Sequence, residues 1–425
     1  MITLSPFWTD EYPRPADLSV ADLPPHTGVA IIGSGVTGLN AARALAAAGA
    51  DVTVLDAGPV GNGASTVNGG MLNYGLKAAT TKVYKQFGPT LGREFWDASL
   101  ASIDHVEEVV TSEGIECFFV RHGAAELAYE DRVVEGFRHE AAWMKEHLDF
   151  SVDIVEADGI DAIVGGGSFR GAMIDHVGAG IQPARYVYGL AQALGGRGVH
   201  LVEDAEVTDI SRHTGGYQLL TAKGKLTADN VLLATNGYTG IRPVAELRRR
   251  VVPVGSYIVV TEPLPEATVT RLIPEDRMLW TARRFLNYFR RTHDNRILMG
   301  GRQRLSTNLD LAESAERLRD ITVEIFPELA DVKMTHSWTG KLGITFDLMP
   351  HIGRINGMWY ALGYGGHGVG IGSYLGAEVG RRIAGQLDRS PFEEIPHPTR
   401  PYYRGRPWFL PLAAQWYRFL DTVGR

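Results

Sequence analysis

The stretch that most constrains this chain is a short apolar run that breaks into glycines and then into an alanine-rich segment. Val29-Ala30-Ile31-Ile32 has the continuous hydrophobicity of a strand buried on both faces, and Leu39 to Ala48 reads as a helix closed by Gly49. Val52-Thr53-Val54-Leu55 is a second buried strand, so residues 28–56 predict one strand–helix–strand unit. Between them lies Gly33-Ser34-Gly35-Val36-Thr37-Gly38. In such a turn the first glycine permits the bend, the second lets backbone approach a pyrophosphate, and the third lets helix and strand sit close together. The N-terminus of this helix offers unpaired N–H groups and a partial positive charge to phosphates. Asp56, followed by Ala57, is placed to accept hydrogen bonds from a ribose. The glycines alone are a common turn; with both strands, the helix and the acid they predict dinucleotide binding, leaving open which dinucleotide.

Glycine is in excess throughout, 50 of 425 residues against the ~7% usual in soluble proteins. The rest is globular, at 44% hydrophobic and 21% charged. A formal net charge of -7 gives no field for a polyanion, which argues against a nucleic-acid partner. The first residues carry neither a basic segment nor an apolar one of secretory type, and Cys117, the only cysteine, cannot form an internal disulfide. A reducing, cytoplasmic setting is therefore expected. Met358 to Ala377 is long and uncharged, but its glycines and His367 favour a loop entering a helix over a membrane span.

Residues 1–27, rich in Pro and acids, read as an irregular arm. From Leu91 an amphipathic helix runs through Phe95, Ala98, Ile103, Val106 and Val110 to Gly114, followed by a predicted strand at Cys117 to Val120. Strand signals recur at Ala205 to Ile210, Tyr217 to Thr221, Val231 to Ala234, Val251 to Thr261, Phe285 to Arg290 and Ile297 to Met299, the last three suggesting an antiparallel sheet. A parallel nucleotide-binding core interleaved with an antiparallel sheet fits this order.

A series of motifs in chain order carries a resemblance. Gly61 to Gly70 contains Gly63-Ala64-Ser65-Thr66-Val67-Asn68-Gly69-Gly70; a strand from Ala228 ends in Ala234-Thr235-Asn236-Gly237; Trp338-Thr339-Gly340 and Met349-Pro350-His351-Ile352-Gly353 follow; Gly363-Tyr364-Gly365-Gly366-His367-Gly368-Val369 closes the set. With the opening turn, this order resembles the FAD-dependent D-amino acid oxidase superfamily, which includes glycine oxidase and sarcosine oxidase. Trp338-x-Gly340-x-Leu342-Gly343-Ile344-Thr345, Asn287-Tyr288-Phe289-Arg290, the arm's Pro6-Phe7-Trp8 and the tail around Trp408 look like its gamma-glutamylputrescine oxidase branch. Val67 departs from the arginine common at that place.

The resemblance implies a mixed α/β and α+β fold, a Rossmann-like FAD-binding domain interleaved with an antiparallel-sheet substrate domain. It divides the chain into an arm (1–27), FAD-binding segments 28–85, 160–245 and 336–390, substrate segments 86–159 and 246–335, and a tail with a short helix (391–425). It implies FAD contacts from Gly33, Gly35, Val36, Thr37, Gly38, Asp56, Ala57, Ala64, Ser65, Asn68, Gly69, Gly70, Met71, Val207, Ala234, Thr235, Asn236, Gly340, Gly366, His367, Gly368 and Val369. A helix starting near Val369 would aim its positive end at the flavin. Covalent relatives hold FAD through a cysteine near Trp-x-Gly; Lys341 to Thr345 has none, so noncovalent FAD is expected. No metal is expected.

Glycine oxidase-like members tend to carry, two residues after Trp-x-Gly, an arginine that pairs with the substrate carboxylate, and here that residue is Leu342. The expected reaction is therefore oxidation of a primary or secondary amine, such as a gamma-glutamylated amine or polyamine derivative, with O2 or another electron acceptor. A glycine, sarcosine or D-amino acid oxidase, a dehydrogenase using a quinone or protein acceptor, and a non-catalytic electron-transfer subunit stay open. Tyr257, Tyr288, Trp338, Phe346 and His367 are the candidate substrate contacts, and Arg302, among Arg283, Arg284, Arg290 and Arg291, the candidate clamp for a remote carboxylate.

Overall fold

A computed structural model describes residues 2–240, 244–283, 285–301 and 305–422, with side chains through Trp416. Two eight-stranded sheets dominate it. The first runs, in spatial order, His351–Ile355, Met358–Leu362, Gly224–Leu233, His26–Ile32, Val52–Leu55 and His200–Val202, with the hairpin Val207–His213 and Gly216–Thr221 attached to Gly224–Leu233. Its central pairings are parallel. Strand alternation sends Val29, Ile31, Val52 and Val54 to one face, where they pack with residues of the helices Val36–Ala47, Pro183–Gly195 and Gly370–Ile383. Ala30, Ile32, Leu55 and Leu233 go to the other face, against the hairpin. A parallel sheet covered on both faces needs continuous apolar strands, as the opening run has.

The second sheet runs Met334–Thr345, Val251–Thr261, Ile297–Gly301, Asn287–Arg291, Met278–Thr281, Ala124–Ala128, Gly171–Asp175 and Asp153–Glu156. It is antiparallel except where Met278–Thr281 runs parallel to Ala124–Ala128. Its two faces part by alternation as well. Tyr257, Val259, Phe289 and Met299 enter a core closed by the helix Leu311–Ile325, while Ile258, Val260 and Trp338 join the core shared with the first sheet.

Several local expectations change. The arm is not wholly irregular: Phe7–Glu11 is a helical turn whose Phe7 and Trp8 are buried, and the Trp8 indole donates to Asn68 O at 2.8 Å. Cys117 to Val120 is not a strand, because Phe118 adopts φ 51° and only Val120 bridges, to Gly180. The helix predicted from Leu91 is the C-terminal part of Thr80–Ser112, which kinks at Gly88 before Pro89. Gly171–Asp175 and Met334–Thr345 hydrogen-bond within the second sheet, although the division by sequence places 160–245 and 336–390 with the nucleotide unit. Both strands return to that sheet through long-range pairing, which no local pattern announces. In the tail, Leu410 and Ala414 of the helix Leu410–Thr422 pack with Val252, Val254 and Tyr403. Among the described residues no helix is long and apolar enough to cross a membrane.

Candidate active site

A cavity of about 1050 Å³ is lined from both sheets and from the glycine-rich loops between their strands. At one end stands the opening turn. A Cβ on Gly38 would lie 1.9 Å from Gly33 O, so this residue closes the helix onto the turn and does not itself line the cavity. The Asp56 carboxylate accepts from Ser34 N at 2.8 Å and Ser34 Oγ at 2.5 Å, fixing the turn to the end of the second strand. Gly33, Gly35, Val36, Thr37, Asp56, Ala57, Val207, Ala234, Thr235 and Asn236 line this end.

The 61–70 loop is pinned by its own side chains. Asn68 Nδ2 donates to Ser65 O at 2.8 Å, its Oδ1 accepts from Gly70 N at 2.8 Å, and the Trp338 indole donates to Val67 O at 2.7 Å. Ala64, Ser65, Val67, Asn68, Gly69 and Met71 thereby face the cavity, whereas Gly70 turns its carbonyl away to Arg290. The lining continues with Gly340, which sits against Val67, and with Gly366, His367, Gly368 and Val369, the last four leading into the helix Gly370–Ile383. Thr37 Oγ1 donates to Tyr364 OH at 2.9 Å, tying the two cofactor-facing segments together.

These residues fit a dinucleotide carrying a planar ring. The helices Val36–Ala47 and Gly370–Ile383 both start at this cavity without a side-chain cap, so their partial positive ends open on it. A Cβ at Gly35 would stand 2.6 Å from Ser65 Oγ, filling the place where backbone must approach the ligand. Cys117 is buried, is absent from the lining, and has its thiol pushed up to about 12 by burial.

The other end is built by one transverse row of the second sheet. Met173, Glu126, Trp280, Tyr288, Gly300, Ile258 and Trp338 are successive cross-strand partners. Of these, Met173, Glu126, Trp280, Tyr288 and Ile258 line the cavity. The Tyr288 ring lies over Gly300, where a Cβ would come within 2.0 Å of it, and its hydroxyl meets Ser256 Oγ at 3.1 Å. Tyr288 and His367 both line the cavity.

Three other candidates are placed elsewhere. Tyr257 is one residue out of phase with this face: it is fully buried in the opposite core, its hydroxyl donating to Ser306 O and accepting from Leu309 N, both at 2.9 Å. Phe346 packs on Tyr403 and the tail, because Met334–Thr345 has ended before it. Trp338 lies behind the lining and acts on the cavity through Val67. Arg302 and Arg284 lie outside the described residues. Arg290 is buried and occupied by backbone carbonyls, Arg291 bonds to Asn295, and Arg283 lines the cavity while stacked over Tyr129. The sequence reading missed Glu126, Glu140, Lys77, Trp280, Ser256 and Leu286, which also line the cavity. A signal was present for the first: Glu126 is the one charge in the apolar strand Ala124–Ala128.

A glycine-turn cradle for a dinucleotide, continuous with a second chamber walled by a sheet, is the layout of a flavin-dependent oxidoreductase. The chain belongs to the DAO family of FAD-dependent oxidoreductases, whose family model, described as "FAD dependent oxidoreductase", matches residues 28–382. It is 31% identical over 402 residues to gamma-glutamylputrescine oxidoreductase of Escherichia coli K12, covering 93% of each chain. It is 31% identical over 421 residues to a probable oxidoreductase, OrdL, of Haemophilus influenzae, covering 93% of this chain and 92% of that one. Among solved structures, glycine oxidase of Geobacillus kaustophilus superposes with a TM-score of 0.74 at 20% identity, over 88% of this chain and 100% of that one. The protein is accordingly an FAD-dependent oxidoreductase.

Proposed function

We propose that this enzyme oxidises an amine bearing a remote polar group, a gamma-glutamylated amine foremost, to an imine that water converts to an aldehyde and ammonia, with O2 reduced to hydrogen peroxide. The observation that carries this reading is Leu342, which lines the cavity at the position where glycine oxidase-like members carry a carboxylate-binding arginine. A small α-amino acid would find an apolar side chain there. The relative from Escherichia coli named for gamma-glutamylputrescine supports the same choice.

FAD, when bound, supplies the two-electron acceptor. The chain supplies the rest. The helix start at Val36 would hold the pyrophosphate, that at Val369 would face the negative charge left on the reduced ring, and the 61–70 loop, held by Asn68 and Trp338, would keep its backbone against the cofactor. Ile258, Leu286, Met173 and Leu342 give the second chamber apolar walls, which favour the uncharged, oxidisable form of the amine by penalising its ammonium. Tyr288, with its hydroxyl held by Ser256, and His367 are the side chains placed to orient the reacting carbon.

Steady-state oxygen uptake tests this. Gamma-glutamylputrescine should exceed glycine and sarcosine in kcat/KM by on the order of 100-fold or more, since the small acids leave buried groups unpaired. Comparable turnover of glycine would instead establish the amino-acid oxidase reading. Amine-dependent reduction of a quinone without peroxide would establish a dehydrogenase.

A further inference from the structure

We propose that Glu126 and Glu140 form the part of the substrate chamber that reads a distal ammonium, the positive group at the far end of an amine whose other end is oxidised. The inference rests on the amine reading above and adds the feature that selects among amines.

The two carboxylates reach the cavity from different elements, Glu126 from the strand Ala124–Ala128 and Glu140 from the helix Asp131–Leu148. Glu126 occupies the same transverse row as Tyr288, two strands further out, so it stands at a distance from the cofactor while sharing its wall. Trp280 is the cross-strand partner of Glu126, and its indole N–H favours the ionised carboxylate. Burial, reinforced by the neighbouring Glu140 charge, pushes the Glu126 carboxyl up to about 7, with Trp280 and Lys77 acting the other way. Burial alone raises Glu140. Asn73, on the same lining, has a buried side-chain oxygen with no hydrogen bond among the described residues.

Two acids crowded in a drying wall repel each other, and Lys77, which also lines the chamber, offsets only part of the charge on Glu126. An ammonium placed between them would relieve both carboxylates and supply N–H donors for them and for the Asn73 oxygen. Arg283 and Lys77 are the other charged groups on this part of the lining, and Tyr74 contributes only a neutral phenol held protonated by burial. A distal ammonium has two chemical sources: the second nitrogen of a diamine or polyamine, and the α-amino group of a gamma-glutamyl amide.

The test is equilibrium binding by anaerobic calorimetry to the FAD-loaded protein with its flavin first reduced by dithionite, so that no amine can be oxidised, with two matched ligand pairs: 1,4-diaminobutane against 1-aminobutane, and gamma-glutamylputrescine against glutarylputrescine, which lacks only the α-amino group. The wild type should prefer the ammonium-bearing member of at least one pair, and the pair in which it does so names the source. Glu126→Gln and, separately, Glu140→Gln should shrink that preference by roughly 10- to 100-fold. Flavin absorbance and Tm report that each variant is folded and loaded. A preference absent in the wild type, or unchanged in both variants, overturns the assignment. Because binding is read on the reduced enzyme, a ligand that binds it selectively yet fails to bleach the oxidised flavin in a separate anaerobic mixing counts against amine oxidation and not against the acidic pair.

Discussion

Gly38→Val is expected to yield a protein that is colourless when purified and melts more than about 10 °C below the wild type, or does not accumulate in folded form. The reason is geometric. A Cβ at this position would sit 1.9 Å from Gly33 O and 3.2 Å from Ile31 Cγ2, and the first of these is a backbone atom of the pyrophosphate turn itself. Overpacking in a core costs about 1–3 kcal/mol when side chains can yield, and more when backbone must move. Here movement would also displace the helix Val36–Ala47 from the strand His26–Ile32, opening the cradle that holds the cofactor. Gly136→Ala is the matched control. That glycine lies on the exposed face of the helix Asp131–Leu148 with nothing within 4 Å of a built Cβ, and alanine there should leave flavin content unchanged and raise stability slightly. A yellow, fully stable Gly38→Val protein would remove the basis for this turn as the cofactor cradle.

Arg290→Met has the second large expected effect. The Arg290 side chain is 4% exposed; its Nη1 donates to Gly70 O at 2.6 Å and Ile181 O at 3.0 Å, and its Nε to Arg291 O at 3.1 Å. Burial lowers its pKa to about 10, which still leaves it protonated at neutral pH. It therefore ties the end of the cofactor loop to the second sheet. Methionine fills much of the volume but leaves carbonyl oxygens short of a donor, so a loss of about 2–4 kcal/mol is expected, together with weaker retention of FAD. Thermal melts and flavin-to-protein absorbance ratios measure both. The substrate-clamp alternative makes a different demand: unchanged Tm and flavin content with a raised KM confined to carboxylate-bearing amines.

The contrast between Gly38 and Arg290 shows what was legible in the chain. Gly33 to Asp56 could be read because a pyrophosphate turn is local: strand, bend, helix and acid follow within one contiguous stretch, and each has a steric or electrostatic signature. The loops from Ala64 to Gly70 and from Gly363 to Val369 were assigned through the family resemblance, since a glycine-rich stretch alone reads as a linker or turn. The substrate chamber is assembled by register instead. Tyr257 and Ser256 are adjacent in sequence, and only the pairing of Val251–Thr261 with its neighbours decides that Ser256 and Ile258 line the cavity while Tyr257 is buried behind them. A shift of one residue exchanges the two faces. Glu126 was overlooked because its strand joins Met278–Thr281 in parallel across some 150 residues of chain, a contact that no nearby pattern encodes. Arg290 looked like one more basic residue until its carbonyl partners were in place.

The central claim is that the chamber presents an amine to bound FAD. Anaerobic titration of the purified holoenzyme with gamma-glutamylputrescine addresses it most directly, because reduction is seen in the flavin itself and no assumption about the final acceptor enters. The account predicts stoichiometric loss of the oxidised flavin absorption band and its return when air is admitted, with peroxide formed. A band that persists in excess gamma-glutamylputrescine, polyamines and N-methyl amino acids would contradict it.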